Sequence, residues 1–381
     1  MAKSFNLIAA VPGYISTLQF SILSLKKRVP IVMSINKIML FSLISILSLL
    51  SVTCKNEVTA VEDNVKPGRR NYEWEITTIN EDAPNNLYTQ LGGVTPDEIW
   101  IMGSAGDFDK TILKYNGIKV SRYGQLSIDP RAVFGLSQNE IWFSGSQFDI
   151  WKYNGSSISK FSTDSLDGYY NSFVVDIWGS DKNNLYAVGS GTITSTGQIT
   201  ALIMNYNGIS WNYPIPPVPD LHLVRIRKGT TDNNYYLLGV IVKSGEPDVY
   251  GFYKFDGASI LPFNLNDESE TIDKSITVLD NFLYFYDNKE IYKMMNNGVQ
   301  HFISLENTNV NGTQIWGRNE KDFFIQTIDG IGHYNGNNLE TLSKIEGNFG
   351  IFDGLILDSD VYFVGFYRES FKFFLIHGKV K

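Results

Sequence analysis

The chain of 381 residues contains one cysteine, four histidines and only 19% charged residues. A single cysteine cannot form an intramolecular disulfide, so the stability of the fold must come from packing. No two histidines lie four residues apart, as in a helical metal site, and no further cysteine is present to complete a zinc site. The Gly-x-Ser-x-Gly elbow and the glycine-rich phosphate loop are also missing. We therefore expect no catalytic residue, no cofactor and no metal.

Basic residues are scarce outside the N-terminal segment. Residues 1–53 hold five basic residues and no acid, whereas residues 54–381 hold 27 basic and 40 acidic residues. Nucleic-acid binding requires clustered lysine and arginine to neutralise the phosphate backbone. The acidic balance of the main part of the chain argues against a nucleic-acid partner.

An uncharged, mostly apolar run occupies Ile38–Thr53, behind the basic residue Lys37. A membrane-spanning helix needs about 20 apolar residues, so this run fits the core of an export signal better. It ends in Leu-Ser-Val-Thr-Cys, which resembles the lipobox of bacterial lipoproteins and implies lipidation of Cys54. Thr53 departs from that pattern, because Gly, Ala or Ser is usual before the cysteine. The alternative is a free cysteine beside an ordinary signal or a membrane anchor.

The N-terminal region divides into three parts. We interpret residues 1–32 as sequence upstream of a true start at Met33, the alternative being a genuine long leader. Residues 33–53 form the lipoprotein signal peptide, and the polar, aperiodic residues 54–71 form a lipid-anchored tether. Lys55-Asn56-Glu57 resembles the charged export signal of surface lipoproteins from Bacteroidetes-like bacteria.

Beyond residue 90 one pattern recurs about every 44 residues. A polar turn precedes a short aromatic strand, and a second strand ends in Tyr-Asn-Gly or a variant of it. Seven apolar anchors mark the first strand of each copy: Ile99, Ile141, Leu185, Tyr235, Leu283, Phe323 and Val361. Seven turn glycines follow the second strand: Gly117, Gly155, Gly208, Gly257, Gly298, Gly336 and Gly378. Asn-Gly and Asp-Gly between apolar runs are strong hairpin signals.

A repeat of this length fits four short strands and their turns, which is one blade of a β-propeller. We predict an all-β fold, a seven-bladed β-propeller over residues 72–381. The seventh copy ends soon after Gly378, so we expect the alternating residues 72–78 to complete the last blade and close the ring. The alternatives are an open β-sandwich or two all-β domains.

Segments such as WGSDKNNLYAVG and LIMNYNGISW resemble the divergent propeller repeats of exported bacterial proteins. The kelch double glycine, the Gly-His and Trp-Asp pairs of WD40 repeats and the sialidase Asp-box are missing. The resemblance therefore implies a fold but no activity.

Ligand-binding candidates lie in the longer connections. Trp211 and Tyr213 offer aromatic surface for sugar or peptide contacts, and Asp267, Glu268 and Glu270 form an acidic run. Three long connections, at residues 192–199, 243–249 and 264–271, are expected to cluster on one side of the ring. Their acids favour a cationic or metal-bridged partner. His333 and His377 occupy equivalent places in their repeats, which favours a structural role over ligation.

The expected function is that of an exported, lipid-anchored binding or scaffolding module at the cell envelope, in the outer membrane and facing the periplasm or the surface. Its partner is expected to be a protein or a glycan. The alternative is a carbohydrate-active enzyme, a hydrolase or lyase, on a propeller fold. An enzyme is the less favoured interpretation, and the fold does not decide between the two, because function depends on the sites that a fold carries.

Overall fold

A computed structural model describes residues 65–80, 82–124, 126–163, 166–243, 245–265 and 271–381. The compact unit Asn64–Lys381 contains seven antiparallel sheets, which form the seven blades of a β-propeller. The prediction of an all-β, seven-bladed propeller is confirmed. In the described ranges, no helix has the length and apolar character needed to cross a bilayer.

The strands follow the chain from blade to blade. The first strand of the described residues is β1 (Tyr72–Thr78). Blade 1 contains β2 (Leu87–Thr95), β3 (Glu98–Ser104), a 3-10 turn (Phe108–Lys110), β4 (Ile112–Tyr115) and β5 (Val120–Arg122). Blade 2 contains β6 (Val133–Ser137), β7 (Glu140–Ser144), β8 (Asp149–Tyr153) and β9 (Ile158–Thr163). Blade 3 contains β10 (Tyr169–Asp181), β11 (Asn184–Ile193), β12 (Ile199–Tyr206), β13 (Trp211–Asn212) and β14 (Val218–Pro219).

The remaining four blades have the same order. Blade 4 contains β15 (Leu221–Arg227), β16 (Tyr235–Ile241), β17 (Val249–Phe255) and β18 (Ile260–Pro262). Blade 5 contains β19 (Lys274–Leu279), β20 (Phe282–Asp287), β21 (Glu290–Met295) and β22 (Gly298–Ser304). Blade 6 contains β23 (Val310–Asn319), β24 (Asp322–Thr327), β25 (Gly330–Tyr334) and β26 (Leu339–Lys344). Blade 7 contains β27 (Phe349–Ile356), β28 (Asp360–Tyr367) and β29 (Lys372–Val380).

The ring closes through its first strand. β1 pairs antiparallel with β29, from Tyr72 opposite Val380 to Thr78 opposite Phe374, and becomes the outer strand of blade 7. The bounds of β1 are those predicted from the sequence. Because closure joins the two ends of the repeat array, only short outer edges stay unpaired.

The hydrophobic core lies between the blades. Each of the seven interfaces between neighbouring blades encloses one cluster of buried side chains. Neighbouring blades cover the second strand of each blade on both faces, as in β24, where all six residues are buried. This explains the nearly uninterrupted apolar runs of the repeat, since a strand covered on both faces has no polar side.

Residues just before β1 lie against blades 6 and 7. Gly68 donates its amide hydrogen to the carbonyl of Lys321 at 2.7 Å. The Arg70 guanidinium donates to Glu340 at 2.8 Å and to the carbonyl of His333 at 3.0 Å. The last residues of the predicted tether therefore contact the propeller.

Candidate functional site

Two kinds of connection emerge at one end of the ring, here called the upper end. They are the hairpins between the second and third strands and the links from an outer strand to the next inner strand. The hairpin from β11 to β12 and the connection from β16 to β17 both lie there, and they contain the first two long connections singled out in the sequence. Most of the third connection, including Asp267, Glu268 and Glu270, lies outside the described residues.

A pocket of about 590 Å³ opens at the upper end among blades 2, 3 and 4. We call it the blade 2–4 pocket. Its polar lining consists mainly of uncharged side chains, together with one arginine, one aspartate and one histidine. Its principal residues are Arg131, Gln147, Asn171, Phe173, Ser190 and His222. Loops on a rigid scaffold are the usual place for recognition, and a concave, mixed lining is typical of ligand sites.

The wall of the pocket formed by blade 2 is held in an uncommon backbone conformation. Gln147 and Phe148 have φ angles of 56° and 60°, in the left-handed region that Asn-Gly usually occupies in a two-residue hairpin. Phe148 is fully buried, and the amide of Gln147 donates to the carbonyl of Ser172 at 2.8 Å. Asn171 adds a further positive φ of 49° across the pocket. Such strain persists where surrounding contacts enforce it, and it is concentrated at functional sites.

Arg131 lies between the pocket and the central channel. Its guanidinium carbon is 4.4 Å from the ring centroid of Phe173, and its Nη2 lies 3.3 Å from Oδ2 of Asp129. Stacking on an aromatic face leaves the edge of a guanidinium free to donate hydrogen bonds. The Arg131 side chain retains 41% of its exposure. The arginine is therefore positioned by blade 3 and accessible to a ligand.

Ser190 and His222 join blades 3 and 4 at the pocket wall. Ser190 Oγ lies 2.6 Å from Nδ1 of His222. Burial, together with the nearby charge of Arg131, lowers the pKa of His222 below its ordinary value, so the ring is neutral at neutral pH. With the proton on Nε2, Nδ1 accepts the hydrogen of the Ser190 hydroxyl. This arrangement fixes both side chains and places a neutral imidazole beside the Ser190 hydroxyl.

The channel continues downward from the pocket. Its upper part, a space of about 310 Å³, is called the channel mouth and is lined by Thr89, Gln90, Ser104, Arg131, Val175, Val224, Arg225, Gln314 and Phe352. The lower channel, about 250 Å³, is lined by the charged residues Asp176, Arg225, Arg227 and Asp353, together with apolar side chains. Register shifts interrupt the inner strands beside Gln90, Asp176, Arg225 and Asp353. Bulges redirect side chains locally, so polar groups reach the channel from strands that are otherwise packed in the core.

The acids of the lower channel tie neighbouring blades together. Oδ2 of Asp353 accepts a hydrogen bond from the Leu91 amide at 2.9 Å, and Oδ2 of Asp176 accepts one from the Ile226 amide, also at 2.9 Å. In each case the donor belongs to the inner strand of the next blade. Burial raises the pKa of Asp353. These carboxylates are positioned by the scaffold and have a structural role.

His333 and His377 occupy the same place in blades 6 and 7. Nε2 of His333 lies 2.8 Å from Asp322, and Nε2 of His377 lies 2.6 Å from Asp360. Each histidine faces an aromatic ring of the second strand and pairs with the acid that starts that strand. In blades 1 and 2 the corresponding positions hold Lys–Glu pairs, Lys114 with Glu98 and Lys152 with Glu140. The four pairs are copies of one structural feature.

Two polar turns between first and second strands contain Asp and Asn at alternate positions, and their side chains form local hydrogen bonds. Oδ1 of Asp181 accepts from the amide of Asn183 at 2.8 Å, and Oδ1 of Asp232 accepts from the amide of Asn234 at 2.9 Å. These are Asx turns, which explain the Asp and Asn spacing. Within the described part of the chain, no three His, Cys, Asp or Glu side chains converge as a metal site.

The aromatic candidates lie at the interface of blades 2 and 3. Trp211 is 5% exposed, with its ring centroid 5.7 Å from that of Trp142 and 5.5 Å from that of Tyr206. Tyr213 is half-buried beside the same cluster, 6.4 Å from Phe148. Little of Trp211 is offered to a ligand, and a binding role for these two residues stays a prediction. Cys54 lies outside the described residues, so its lipidation is likewise still a prediction.

Apart from Thr192 and Ile199 in the first long connection, the residues that line the pocket were not singled out from the sequence. Arg131, Phe173 and Ser190 belong to three different strands or links, and His222 was noted only as one of four histidines. Positive φ at Gln147 and Phe148 has no sequence signal, because neither residue favours a left-handed turn. One cue in the sequence was the pair of long connections in copies three and four, which emerge at the end of the ring where the pocket opens.

Comparisons with known proteins show the fold and no more. Neither a protein-family model nor a curated protein matches the chain. Among solved structures, the chain is similar to "YCF48 bound to D1 peptide", with 13% identity over 83% of this chain and 100% of the other and a TM-score of 0.54. It is also similar to "Oligogalacturonate lyase in complex with manganese", with 7% identity, coverage of 83% and 99%, and a TM-score of 0.54. The "WD40 beta propeller domain of Doa1" matches with 9% identity, coverage of 82% and 98%, and a TM-score of 0.53.

Proposed function

We propose that this seven-bladed propeller is a binding or scaffolding module, exported and anchored at the cell envelope through a lipid on Cys54. Its partner binds at the upper end, in the blade 2–4 pocket. The observation that carries the proposal is the pocket itself: about 590 Å³ with a mixed polar lining, at the end where the long connections emerge. Concave sites of this size suit a small ligand or a short segment of a larger one.

The rigidity of the pocket supports a role in binding. Its walls come from blades 2, 3 and 4, and the buried Phe148 and the Ser190–His222 hydrogen bond hold them together. A preformed site loses little conformational entropy when a ligand binds, which leaves more of the contact energy for affinity. One of the similar solved propellers, YCF48, is described as bound to a peptide. That description makes a peptide one reasonable class of partner.

The envelope location rests on the sequence alone. The basic flank Lys37, the apolar run Ile38–Thr53 and the cysteine that follows are arranged as in a lipoprotein signal. A polar segment then separates Cys54 from the propeller, and it gives the domain room to stand off the membrane.

The second candidate function is that of a carbohydrate-active enzyme. The 2.6 Å contact between Ser190 and a neutral His222 favours it, because a hydroxyl beside an imidazole base is a recurrent catalytic arrangement. One solved neighbour is described as an oligogalacturonate lyase in complex with manganese. Among the described residues, however, no carboxylate is hydrogen-bonded to His222 to orient it as in a triad. Binding is therefore the better supported function.

A glycan and peptide array probed with the full-length chain in detergent tests the proposal. Thr192→Trp places a large ring in the pocket and should abolish the signal of any ligand that binds there. Ser159→Trp, on the exposed outer strand β9, is the matched control and should leave it unchanged. A ligand that binds both variants equally would place the binding site elsewhere.

The same ligand, once found, separates binding from catalysis. A binding module leaves the ligand intact over long incubation, and Ser190→Ala changes affinity alone. An enzyme releases a product, and Ser190→Ala abolishes product formation while binding persists.

A further inference from the structure

The channel mouth carries positive charge in a chain that is acidic overall. Its described lining contains two arginines, Arg131 and Arg225, and no aspartate or glutamate. The whole chain has a formal charge of −8. Asp129 beside Arg131, and Asp176 and Asp353 in the lower channel, offset part of this charge. The arginines are nevertheless the charged side chains that line the mouth itself, and a concave wall of low dielectric focuses their field on a ligand that enters.

Arg225 has hydrogen-bonding capacity to spare. Its Nη1 and Nη2 each donate to Oε1 of Gln314 at 3.2 Å. Within the described residues, those are the hydrogen bonds of its guanidinium, a group with five N–H donors. Burial and the neighbouring Arg227 lower the pKa of Arg225, while Asp176 and Asp353 in the lower channel act against that shift. An anion arriving from the mouth would meet donors that the protein leaves unused.

Arg131 supplies the second positive group and links the mouth to the blade 2–4 pocket, since it lines both. Asp129 pairs with one of its nitrogens at 3.3 Å and offsets part of its charge on the pocket side. Stacking on Phe173 holds the guanidinium plane at the rim. A ligand that fills the pocket can therefore extend past Arg131 towards Arg225.

Uncharged polar side chains surround both arginines. Thr89, Gln90, Ser104 and Gln314 line the mouth, and Gln147 and Asn171 line the pocket. Hydroxyls and amides both donate and accept, so they match the hydroxyl groups of a sugar. Arginine clusters also recognise acidic peptide motifs, so the two arginines alone do not separate the two classes. The hydroxyl and amide groups around the arginines favour the acidic sugar, and an acidic peptide is an outcome of the test below.

We propose that the channel mouth binds the carboxylate of an acidic oligosaccharide, with Arg225 and Arg131 as its partners and with neighbouring sugar units in the blade 2–4 pocket. This inference rests on the proposed binding function and names the ligand class of that site. A guanidinium can pair with a carboxylate through two parallel hydrogen bonds, which gives both affinity and orientation.

Isothermal titration of the full-length chain in detergent, with trigalacturonate as the probe and EDTA present, tests the inference. The fully methyl-esterified trimer is the matched probe, because it keeps the sugar chain and loses the charge. Triglutamate represents the acidic-peptide class. We expect binding of trigalacturonate that weakens as NaCl is raised and that falls about tenfold or more with the methyl ester.

Three variants connect binding to the mouth. Arg225→Gln and Arg131→Gln should each weaken trigalacturonate binding about tenfold, whereas Arg225→Lys should weaken it less. Arg122→Gln removes the same charge from the outer strand of blade 1, where Arg122 pairs with Asp109, and should leave affinity within about twofold. Thermal melting of each variant shows whether it is folded. If Arg225→Gln does not fold, Arg131→Gln still tests the inference, because Arg131 is half-exposed.

Four outcomes of these measurements would contradict the inference. Equal binding of the acid and its ester, affinity unaffected by both arginine variants, or binding of triglutamate alone would overturn the inference. A neutral ligand from the array that is lost in Thr192→Trp, together with no trigalacturonate binding, would overturn the ligand class and leave the proposed binding function standing.

Discussion

The ring of Trp74 in β1 covers Gly378 in β29, the residue directly opposite it in the register. A Cβ atom on Gly378 would lie 2.5 Å from Cζ3 of Trp74, a distance that side chains do not tolerate. The glycine therefore leaves room for the Trp74 ring beside β29. Trp74 packs against the cluster between blades 6 and 7. The two ends of the domain are joined at this point.

Gly378→Ala is expected to lower the free energy of unfolding by about 1–3 kcal/mol, because the methyl group displaces the Trp74 ring from its packing. Gly251→Ala is the matched control, since its Cβ would meet its nearest neighbour, Tyr253, at an ordinary 3.6 Å. The free energy of unfolding of that variant should stay within about 0.5 kcal/mol of that of the parent. Urea denaturation followed by tryptophan fluorescence measures both. Equal stability of the two variants would show that Trp74 can move away at no cost.

Stability should fall as the pH drops from 7 to 5. Burial lowers the pKa of both His222 and His333 in the folded protein, so the unfolded chain binds protons more readily over this range. Stability from a lowered histidine pKa is complete above the unfolded value of about 6.5 and is lost as the pH falls towards the folded value. The free energy of unfolding, measured at a series of pH values, should therefore decrease with acidification.

Replacing one buried histidine should flatten that dependence. His333→Gln removes one of the two groups, so its curve should be shallower than that of the parent even where its absolute stability is lower. Gln300→Asn, at an exposed and non-titrating position on the outer strand β22, is the control and should keep the slope of the parent. A His333→Gln curve parallel to that of the parent would argue against the lowered pKa.

The segment before β1 should prove to be part of the folded domain. Arg70 donates to Asn338 at 3.0 Å as well as to Glu340 and the His333 carbonyl, and only 20% of its side chain is exposed. Arg70→Ala should cost about 1–2 kcal/mol and speed hydrogen exchange at the Gly68 amide. Lys66→Ala, at an exposed position, should do neither. Fast exchange at Gly68 already in the parent chain would contradict the docked position.

Anchoring can be tested independently of the fold. Cys54→Ala should release the protein from the membrane fraction or block its maturation, and it should abolish incorporation of a labelled fatty acid. Thr53→Ala is the companion variant, because it restores a small residue usual before a lipidated cysteine and should keep or increase labelling. Membrane association that is unchanged in Cys54→Ala, with no label in the parent, would rule out the lipid anchor.

The fold was predictable because its determinants are local and repeated. Each copy carries an apolar strand buried on both faces, and the first six carry a turn glycine with positive φ, as at Gly117 and Gly336. The expectation of a turn at Gly378 is wrong, because that glycine lies inside β29, where it pairs with the closing strand. The closing strand was predictable from alternation at residues 72–78 and from the short seventh copy.

The site was less predictable, because it depends on where the repeat is broken. Bulges turn Arg225 and Asp353 into the channel, and no alternating pattern records a bulge. Ser190 and His222 meet across a blade interface although 32 residues separate them in the chain. Trp211, chosen for its aromatic surface, is instead in the core. A sequence reading locates the end of the ring where loops gather but does not show which side chains converge there.

The acidic run and the channel mouth favour ligands of opposite charge. The sequence alone favours a cationic or metal-bridged partner for Asp267, Glu268 and Glu270, whereas the arginines of the channel mouth favour an anion. These acids belong to the connection between β18 and β19, which leaves and enters the described structure at the upper end. Their field would oppose the approach of a carboxylate.

We therefore expect the triple variant with serine at these three positions to bind trigalacturonate a few-fold more tightly at low salt. The gain should vanish at high salt, where charges more than about 10 Å apart are screened. Thermal stability is expected to stay nearly unchanged. The matched control replaces Glu73, Glu75 and Asp358 by serine, which removes three exposed acids from the outer strand and the lower end of blade 7. Weaker binding in the triple variant would favour the hypothesis of a cationic or metal-bridged partner. A lowered melting temperature with unchanged binding would show that these acids stabilise the fold instead.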